Sequence, residues 1–310
     1  MKRFLKNLLL GMGLLAVGLG LYFGVRTLIN QRALAQAAAQ PVVSLTGLDS
    51  VTHLEIIPLY EKAGDSRQYQ IGHGVSYLVR ADETTLLVDF GYNPDASDPT
   101  PLRQNMRTLG VDVDQLDVVF VSHPHPDHQG STRWWLKNSF GIDREQVDLQ
   151  NVSVYTPTRL SYPGVVPIVP DQPAILARGV ATTGVLLYPE VFPISLFSGI
   201  GTEQSLVVNV AGHGLVVITS CGHPGLERIV ERAETAFGLP VVGVVGGLHY
   251  QNLTPEQLQP HIQFLQVRNP ELISLSPHDS RQTVLDVFRK VFAPVYREIQ
   301  VGETIAYPEN

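Results

Sequence analysis

The stretch VVFVSHPHPDHQGS, running from Val118 to Ser131, places His123, His125, Asp127 and His128 directly behind an apolar run that reads as a buried strand. Imidazoles and a carboxylate are costly to bury unless they are paired or bound. In extended chain His123 and His125 are two apart and point to the same side. Asp127 and His128 follow where the strand gives way to a loop, with Gly130 easing entry to the next helix. Such a turn can aim imidazoles at one metal ion and the Asp and last His at a neighbour. Histidine suits zinc, and the carboxylate adds a hard oxygen ligand. A structural zinc finger would want thiolates, and Cys221 is the only cysteine, which also rules out an internal disulfide framework.

From Val51 onward, strand-like runs alternate with helical stretches, and no Ser/Gly linker divides them. VTHLEIIPLY, HGVSYLVR and ETTLLVDFG read as early strands joined by short turns. PLRQNMRTLG and GSTRWWLKNSFG read as helices, with Trp134 and Trp135 as packing groups. The proline- and glycine-rich stretch from Tyr162 to Pro193 reads as an extended loop with a short strand or two, long enough to cover a site. SLVVNVAGHGLVVITS reads as a hairpin turning at Gly212–Gly214. PGLERIVERAETAFG, TPEQLQPHIQFLQ and SRQTVLDVFRKVF read as helices, VVGVVGG and ELISLS as strands. Strands grouped early, followed by strand–helix units in both halves, predict an α/β fold with sheets covered by helices on the outside.

The N-terminus is of another kind. Lys2, Arg3 and Lys6 precede 18 uncharged residues, Leu8 to Val25, and Arg26 ends the stretch. That length exceeds a signal-peptide core of about 7–15 residues and reaches the lower limit of a membrane span, about 17–25. Residues 1–32 are expected to be a membrane anchor or a signal segment, with Ala33-Leu34-Ala35 as a candidate cleavage site. Residues 33–50 would be a tether and 51–310 the catalytic domain. The leading positive charges would stay in the cytoplasm, so the body is expected outside it, in the periplasm or at the cell surface, or secreted if the segment is cleaved. Residues 1–32 hold five basic residues and no acidic one, so beyond residue 32 the balance is 17 basic against 29 acidic, a net of −12. No basic face is concentrated enough for nucleic acid, which leaves a small-molecule substrate. Nothing in the chain sets an oligomeric state.

The His-x-His-x-Asp-His cluster resembles the signature of the metallo-β-lactamase fold superfamily. The resemblance implies a four-layer αββα sandwich, here preceded by one hydrophobic helix, with a metal site at one edge of its two sheets. TTLLVDFG, with Asp89 at the end of a strand, is similar to the superfamily's early strand, whose Asp supports the metal ligands from behind. An ordinary turn aspartate is the alternative. From about Gly72 to the C-terminus, HGVSYLV, EQSLVVNVAGHGLVVITSCGHPG, VVGGLHY and SPHDS resemble the branch typified by dihydropterin–ribofuranosylaminobenzene phosphate synthases. Members of that branch carry His-Gly-x-Ser, Gly-Cys-Ser-His, Gly-Gly-Phe-His and a late Pro-x-His, which by position implicate His73, His223, His249 and His278. Here Ser220-Cys221-Gly222-His223 replaces the usual order, Tyr250 follows His249, and Asp279 stands where the branch has cysteine.

The expected site holds two divalent ions, zinc first, although the donor set also accepts iron or manganese. His123, His125 and His223 would hold one ion, and Asp127, His128 and His278 the other. Cys221 occupies the place of a bridging carboxylate in many members, either as a metal-binding thiolate or as a buried inert thiol. His249 would face substrate or shuttle a proton, with a core histidine as the alternative, and His73 divides between substrate contact and structure. Asp127 is the expected catalytic residue, orienting a metal-bridged hydroxide and passing a proton to the leaving group. The expected reaction is hydrolysis of a small ester, lactone or phosphate ester. A β-lactam hydrolase, an iron-dependent redox enzyme and a catalytically silent binding protein on the same fold are the alternatives.

Overall fold

Apolar runs become strands here because both of their faces are covered, which removes the polar–apolar alternation of a half-exposed sheet. A computed structural model describes residues 2–191, 194–196 and 198–309. Its first helix, α1 (Lys2–Ala38), is followed by β1 (Leu54–Tyr60), β2 (Ser76–Ala81), β3 (Thr84–Val88), α2 (Pro101–Thr108), β4 (Val118–Phe120), α3 (Thr132–Leu136) and β5 (Ser153–Tyr155). The second half carries β6 (Ala174–Ala177), β7 (Val180–Thr182), β8 (Leu186–Pro189), β9 (Ile200–Glu203), β10 (Leu206–Val210), β11 (Gly214–Thr219), α4 (Leu226–Phe237), β12 (Val241–Gly246), α5 (Pro255–Gln266), β13 (Leu272–Leu275), α6 (Gln282–Val291) and β14 (Ile305–Tyr307).

Two compact units result. One comprises Met1–Pro41 and Leu187–Gly201, the other Val42–Leu186 and Thr202–Asn310. In the first, the stretch Arg3–Ala38 of α1 is long and apolar enough to cross a membrane, with mean hydropathy 2.1 over an 18-residue window none of which is buried. The Arg26 guanidinium donates to the Ser195 carbonyl at 3.0 Å. Residues 33–38, expected to begin the tether, are helical; four of these six are alanine, the best helix former.

The second unit is an αββα sandwich. One sheet has the order β14-β1-β2-β3-β4-β5 and the other β13-β12-β11-β10-β7-β6. Successive side chains divide between layers: Leu86, Val88 and Phe120 enter the core between the sheets with Val208, Val216 and Ile218, while Leu87 and Val119 pack outward with Leu102 and Met106 of α2. Val217 and Val244 face the other way, onto Leu226, Ile229 and Val230 of α4, Leu258 and Ile262 of α5, and Phe288 of α6. Thr100 caps α2 through the Arg103 N–H, and Thr254 with Gln257 forms a capping box at α5.

Two local expectations are corrected, and one strand is added. The stretch from Tyr162 toward Pro193 holds β6, β7 and β8, and β6 and β7 extend the second sheet; Pro193 itself lies outside the described residues. The helix expected over 130–141 shrinks to Thr132–Leu136, because Ser131 caps its start and Asn138 turns left-handed (φ 50) after its end. The short β14, which carries little pattern, pairs with β1.

The topology that matters for function is the parallel pairing of β3 with β4, of β11 with β12 and of β12 with β13. Ligand sites of such sheets form at the carboxyl ends of the strands. At that edge the two sheets are stitched by Gln204, whose backbone N–H donates to Ser122 O (2.9 Å) and whose amide donates to Val121 O (2.9 Å). Gly246, closing β12 with φ +112, lies so close to β11 that a Cβ would land on the Thr219 carbonyl oxygen. Gly246→Ala is therefore expected to cost about 2–4 kcal/mol in strain and displaced backbone. Urea unfolding measures this, and a shift below about 0.5 kcal/mol would contradict the close approach.

Candidate metal centre

Asp89 follows β3 in the left-handed region (φ 56) and is fully buried. Its Oδ1 accepts the Ser122 N–H (2.7 Å), and its Oδ2 accepts the Ser122 hydroxyl (2.6 Å) and Nδ1 of His128 (2.8 Å). Because the Ser122 proton is committed to Asp89, the Ser122 oxygen accepts from His123 Nδ1 at 2.9 Å. Both imidazoles thus carry a proton on Nδ1, and the neutral His123 presents a bare Nε2 lone pair. His123 Nε2 is buried and has no hydrogen-bond partner among the described residues. An unsatisfied buried acceptor costs about 1–3 kcal/mol, so the site as folded calls for a cation there. Burial, and then His128 and His125, push His123 well below the ordinary imidazole range, so it stays a neutral donor of its lone pair.

A matching half comes from the end of β11 and from β9, which pairs with β8 in a small two-stranded sheet. Glu203, at the end of β9 and fully buried, accepts the Gly222 N–H (2.8 Å) on Oε1 and the His223 N–H and Nδ1 (both 2.9 Å) on Oε2. His223 therefore also turns Nε2 away from its carboxylate. Burial opposes ionisation of Glu203, yet the His223 contacts outweigh it and hold its carboxyl below the usual range. The His223 ring lies 4.8 Å from that of His123 and 5.0 Å from that of His125. His123, His125 and His223 offer ligand atoms within 4.8 Å of one another, as do His123, His128 and Cys221, and His73, Asp127 and His278.

The first expected triad is gathered as a group, whereas the second is divided. Asp127 Oδ2 lies 3.2 Å from His73 Nε2, 3.3 Å from His278 Nε2 and 3.7 Å from His128 Nε2. His128 Nε2 is closer to Cys221 Sγ, at 3.2 Å. His278 Nδ1 accepts the Gly74 N–H at 2.8 Å. A neutral ring that accepts at Nδ1 bears its proton on Nε2, and burial, followed by His128, keeps His278 neutral by pushing it well below the ordinary range. Binding a metal through Nε2 requires that proton to leave. Burial alone would raise Asp127 and depress His128; their mutual attraction reverses both, holding Asp127 far below the carboxylate range and lifting His128 to about 9. Burial, followed by Asp279 and Glu203, pushes the Cys221 thiol well above its ordinary value.

His249 follows β12 with φ 55, its ring 4.6 Å from that of His223. Asp279 fixes this bend by accepting the His249 N–H at 2.8 Å, and burial, then His223, lowers the ring to about 4. Glu203, Ser122 and the positioning role of Asp279 escape a reading of the sequence. A signal for Glu203 exists: it stands with Gln204 and Ser205 directly before a wholly buried strand, with no turn residues to carry it outward.

Behind the cluster, buried Glu61 accepts the Ser276 hydroxyl (2.5 Å) and the Tyr77 hydroxyl (3.1 Å), and burial raises it to about 7. Its folded pKa lies above its unfolded value of about 4.5, so the stability it confers is complete below pH 4.5 and is lost as pH rises towards 7. Glu61→Gln should remove roughly 3 kcal/mol of this decline. Denaturant melts at pH 4.5, 6 and 7.5 read it, and parallel slopes for variant and wild type would contradict the raised pKa.

The sequence profile of the Metallo-beta-lactamase superfamily matches residues 70–144. A 7,8-dihydropterin-6-methyl-4-(beta-D-ribofuranosyl)-aminobenzene-5'-phosphate synthase of Methanocaldococcus jannaschii is 22% identical over 299 residues, covering 85% of this chain and all of that protein. The transcription termination factor FttA of Cenarchaeum symbiosum is 36% identical over 61 residues, 20% of this chain and 9% of that protein. Among solved structures, Tm1679, described as a metal-dependent hydrolase of the beta-lactamase superfamily, superposes with a TM-score of 0.56 at 20% identity, covering 81% of this chain and 98% of that one. The superfamily's profile is thus met over residues 70–144, within a sandwich that has the fold of Tm1679.

Proposed function

We propose that the protein is a metal-dependent hydrolase of a small ester, lactone or phosphate ester. The carrying observation is the buried, unpartnered His123 Nε2, set among imidazoles whose Nδ1 protons are committed to Asp89, through Ser122 for His123 itself, and to Glu203. This donor set fits divalent ions, zinc first by its imidazole and thiol character. His123, His125 and His223 would hold one ion. Asp127, His128 and Cys221 would hold a second, with His278 as a further donor once its Nε2 proton leaves. Bound there, such ions supply Lewis acidity and lower the pKa of water towards 7.

The chain's own residues do the rest. Asp127 orients the attacking water and holds its proton. His73, whose side chain is 59% exposed, touches Asp127 and offers that proton a route to solvent or to the leaving group. Before an ion enters, His278 Nε2 lies 3.3 Å from Asp127 and keeps that carboxylate in place. The solved relative's description as a metal-dependent hydrolase supports this reading, and the synthase relative keeps phosphate-bearing compounds among the candidates. We further propose that α1 anchors the protein in a membrane with the body on the extracytoplasmic side; a protease-accessible C-terminal tag on intact cells is expected, and a fully protected tag would refute it. Elemental analysis of residues 41–310 should find about two divalent ions per chain. Turnover of phosphodiester, lactone or β-lactam substrates should stop on chelation; metal-free protein, or turnover indifferent to chelator, would sink the hydrolase reading.

A further inference from the structure

A groove of about 860 Å³ adjoins the candidate centre, sharing His73 and His278 with it. That is the size which encloses a molecule of several functional groups, about 300–1,000 Å³, and far exceeds what a scissile bond alone requires. The apolar side chains in its lining are Ala63, Pro277 and Leu285, and every other lining residue carries a polar group. Lys62 and Arg281 line it as exposed cations. Neither side-chain cation pairs with a carboxylate among the described residues: the Arg281 guanidinium is held at 2.9 Å by the Asn252 amide oxygen, which orients it without neutralising it. The single carboxylate in the lining, Asp279, is buried and turned to the His249 N–H. The first turn of α6, which no side chain caps, forms part of the same wall. In a body carrying a net charge of −12 beyond residue 32, two uncompensated cations beside the centre are a local inversion of sign.

We propose that this groove binds the distal part of the substrate and that this part carries an anionic oxygen group, a carboxylate or a phosphate, received by Lys62 and Arg281. The inference rests on the hydrolase reading for the identity of the reacting end, but not for the anion site. Lys62 and Arg281 are specificity-determining residues, and they act on a group remote from the bond that breaks.

The test compares three p-nitrophenyl esters with one scissile bond on the metal-loaded full chain: the neutral butyrate, the glutarate with a free terminal carboxylate, and 4-phosphonooxybutyrate. The wild type should prefer at least one anionic ester over the butyrate by about tenfold in kcat/KM, and less so at high salt. The ratio should fall to about one in K62Q/R281Q and below one in K62E/R281E. Which anionic ester gains more separates carboxylate from phosphate. A preference that is absent in the wild type, or that survives charge reversal, overturns the proposal. If no ester is turned over, the hydrolase reading alone fails; the groove is then read by calorimetric titration with 4-phosphonooxybutyrate and with glutarate. Binding at least tenfold tighter to wild type than to K62E/R281E upholds it, and equal binding overturns it.

Discussion

Replacing Asp127 by Asn should lower kcat/KM for any hydrolysed substrate by about 10³-fold while leaving the fold intact. One oxygen of this carboxylate sits within 3.7 Å of three imidazole nitrogens, those of His73, His278 and His128. Loss of its charge removes three things together: a hard donor, the acceptor that orients the attacking water, and the proton link to His73. Proton transfer by a positioned group is worth about 10²–10⁴-fold, which sets the expected scale. The same change removes the first attraction that lifts His128 to about 9 against burial, so the His128 ring should titrate at lower pH in metal-free D127N. Steady-state kinetics and imidazole proton shifts give independent readings. A rate within tenfold of wild type would exclude Asp127 from the reaction.

Replacement of Glu203 by Gln should weaken metal binding by about 10–100-fold and destabilise the protein by roughly 2–4 kcal/mol. The amide keeps one acceptor, but its NH₂ faces either the Gly222 N–H or the His223 N–H and Nδ1, all of them donors at 2.8–2.9 Å. Donor would meet donor in a fully buried place. Glu203 also carries a sign in pH. Its folded pKa is depressed, so its stabilisation exists above the unfolded value of about 4.5 and is lost as pH falls through the lower folded value. E203Q should flatten that acid limb. Chelator competition and acid melts test the two effects, and unchanged affinity would reduce Glu203 to a packing group.

The legible part of this site was the part made by neighbours in sequence. His123, His125, Asp127 and His128 stand within one turn, so spacing alone places them together. His223 and His278 could be read because each follows an apolar strand, and strand ends share an edge when the strands run parallel. The tautomers were out of reach, since they are set by contacts across long stretches of chain. Asp89 governs His128 from 39 residues away, and the Gly74 N–H that occupies His278 Nδ1 lies 204 residues off. Such contacts have no period and no local composition. Fold class was legible for the opposite reason: burial on both faces writes itself into runs such as VVF and LVVNV, residue after residue.

The seam at Gln204 has a further consequence. Each large sheet brings its own share of the imidazoles, His123 behind β4 and His223 behind β11, and the halves meet where Gln204 bonds to Val121 and Ser122. Before the sheets dock, His123 and His223 belong to separate pieces, so no complete donor set exists to capture an ion. Metal acquisition is then a late event, coupled to closure of the sandwich. Imidazole-rich sites accept several first-row metals, and supply at the moment of binding decides among them. Refolding residues 41–310 in equimolar zinc, iron(II) and manganese, against exposure of the folded apoprotein to the same mixture, would read this; identical loading by both routes would contradict it. The ion carried would then be a record of the surroundings in which the two sheets first closed.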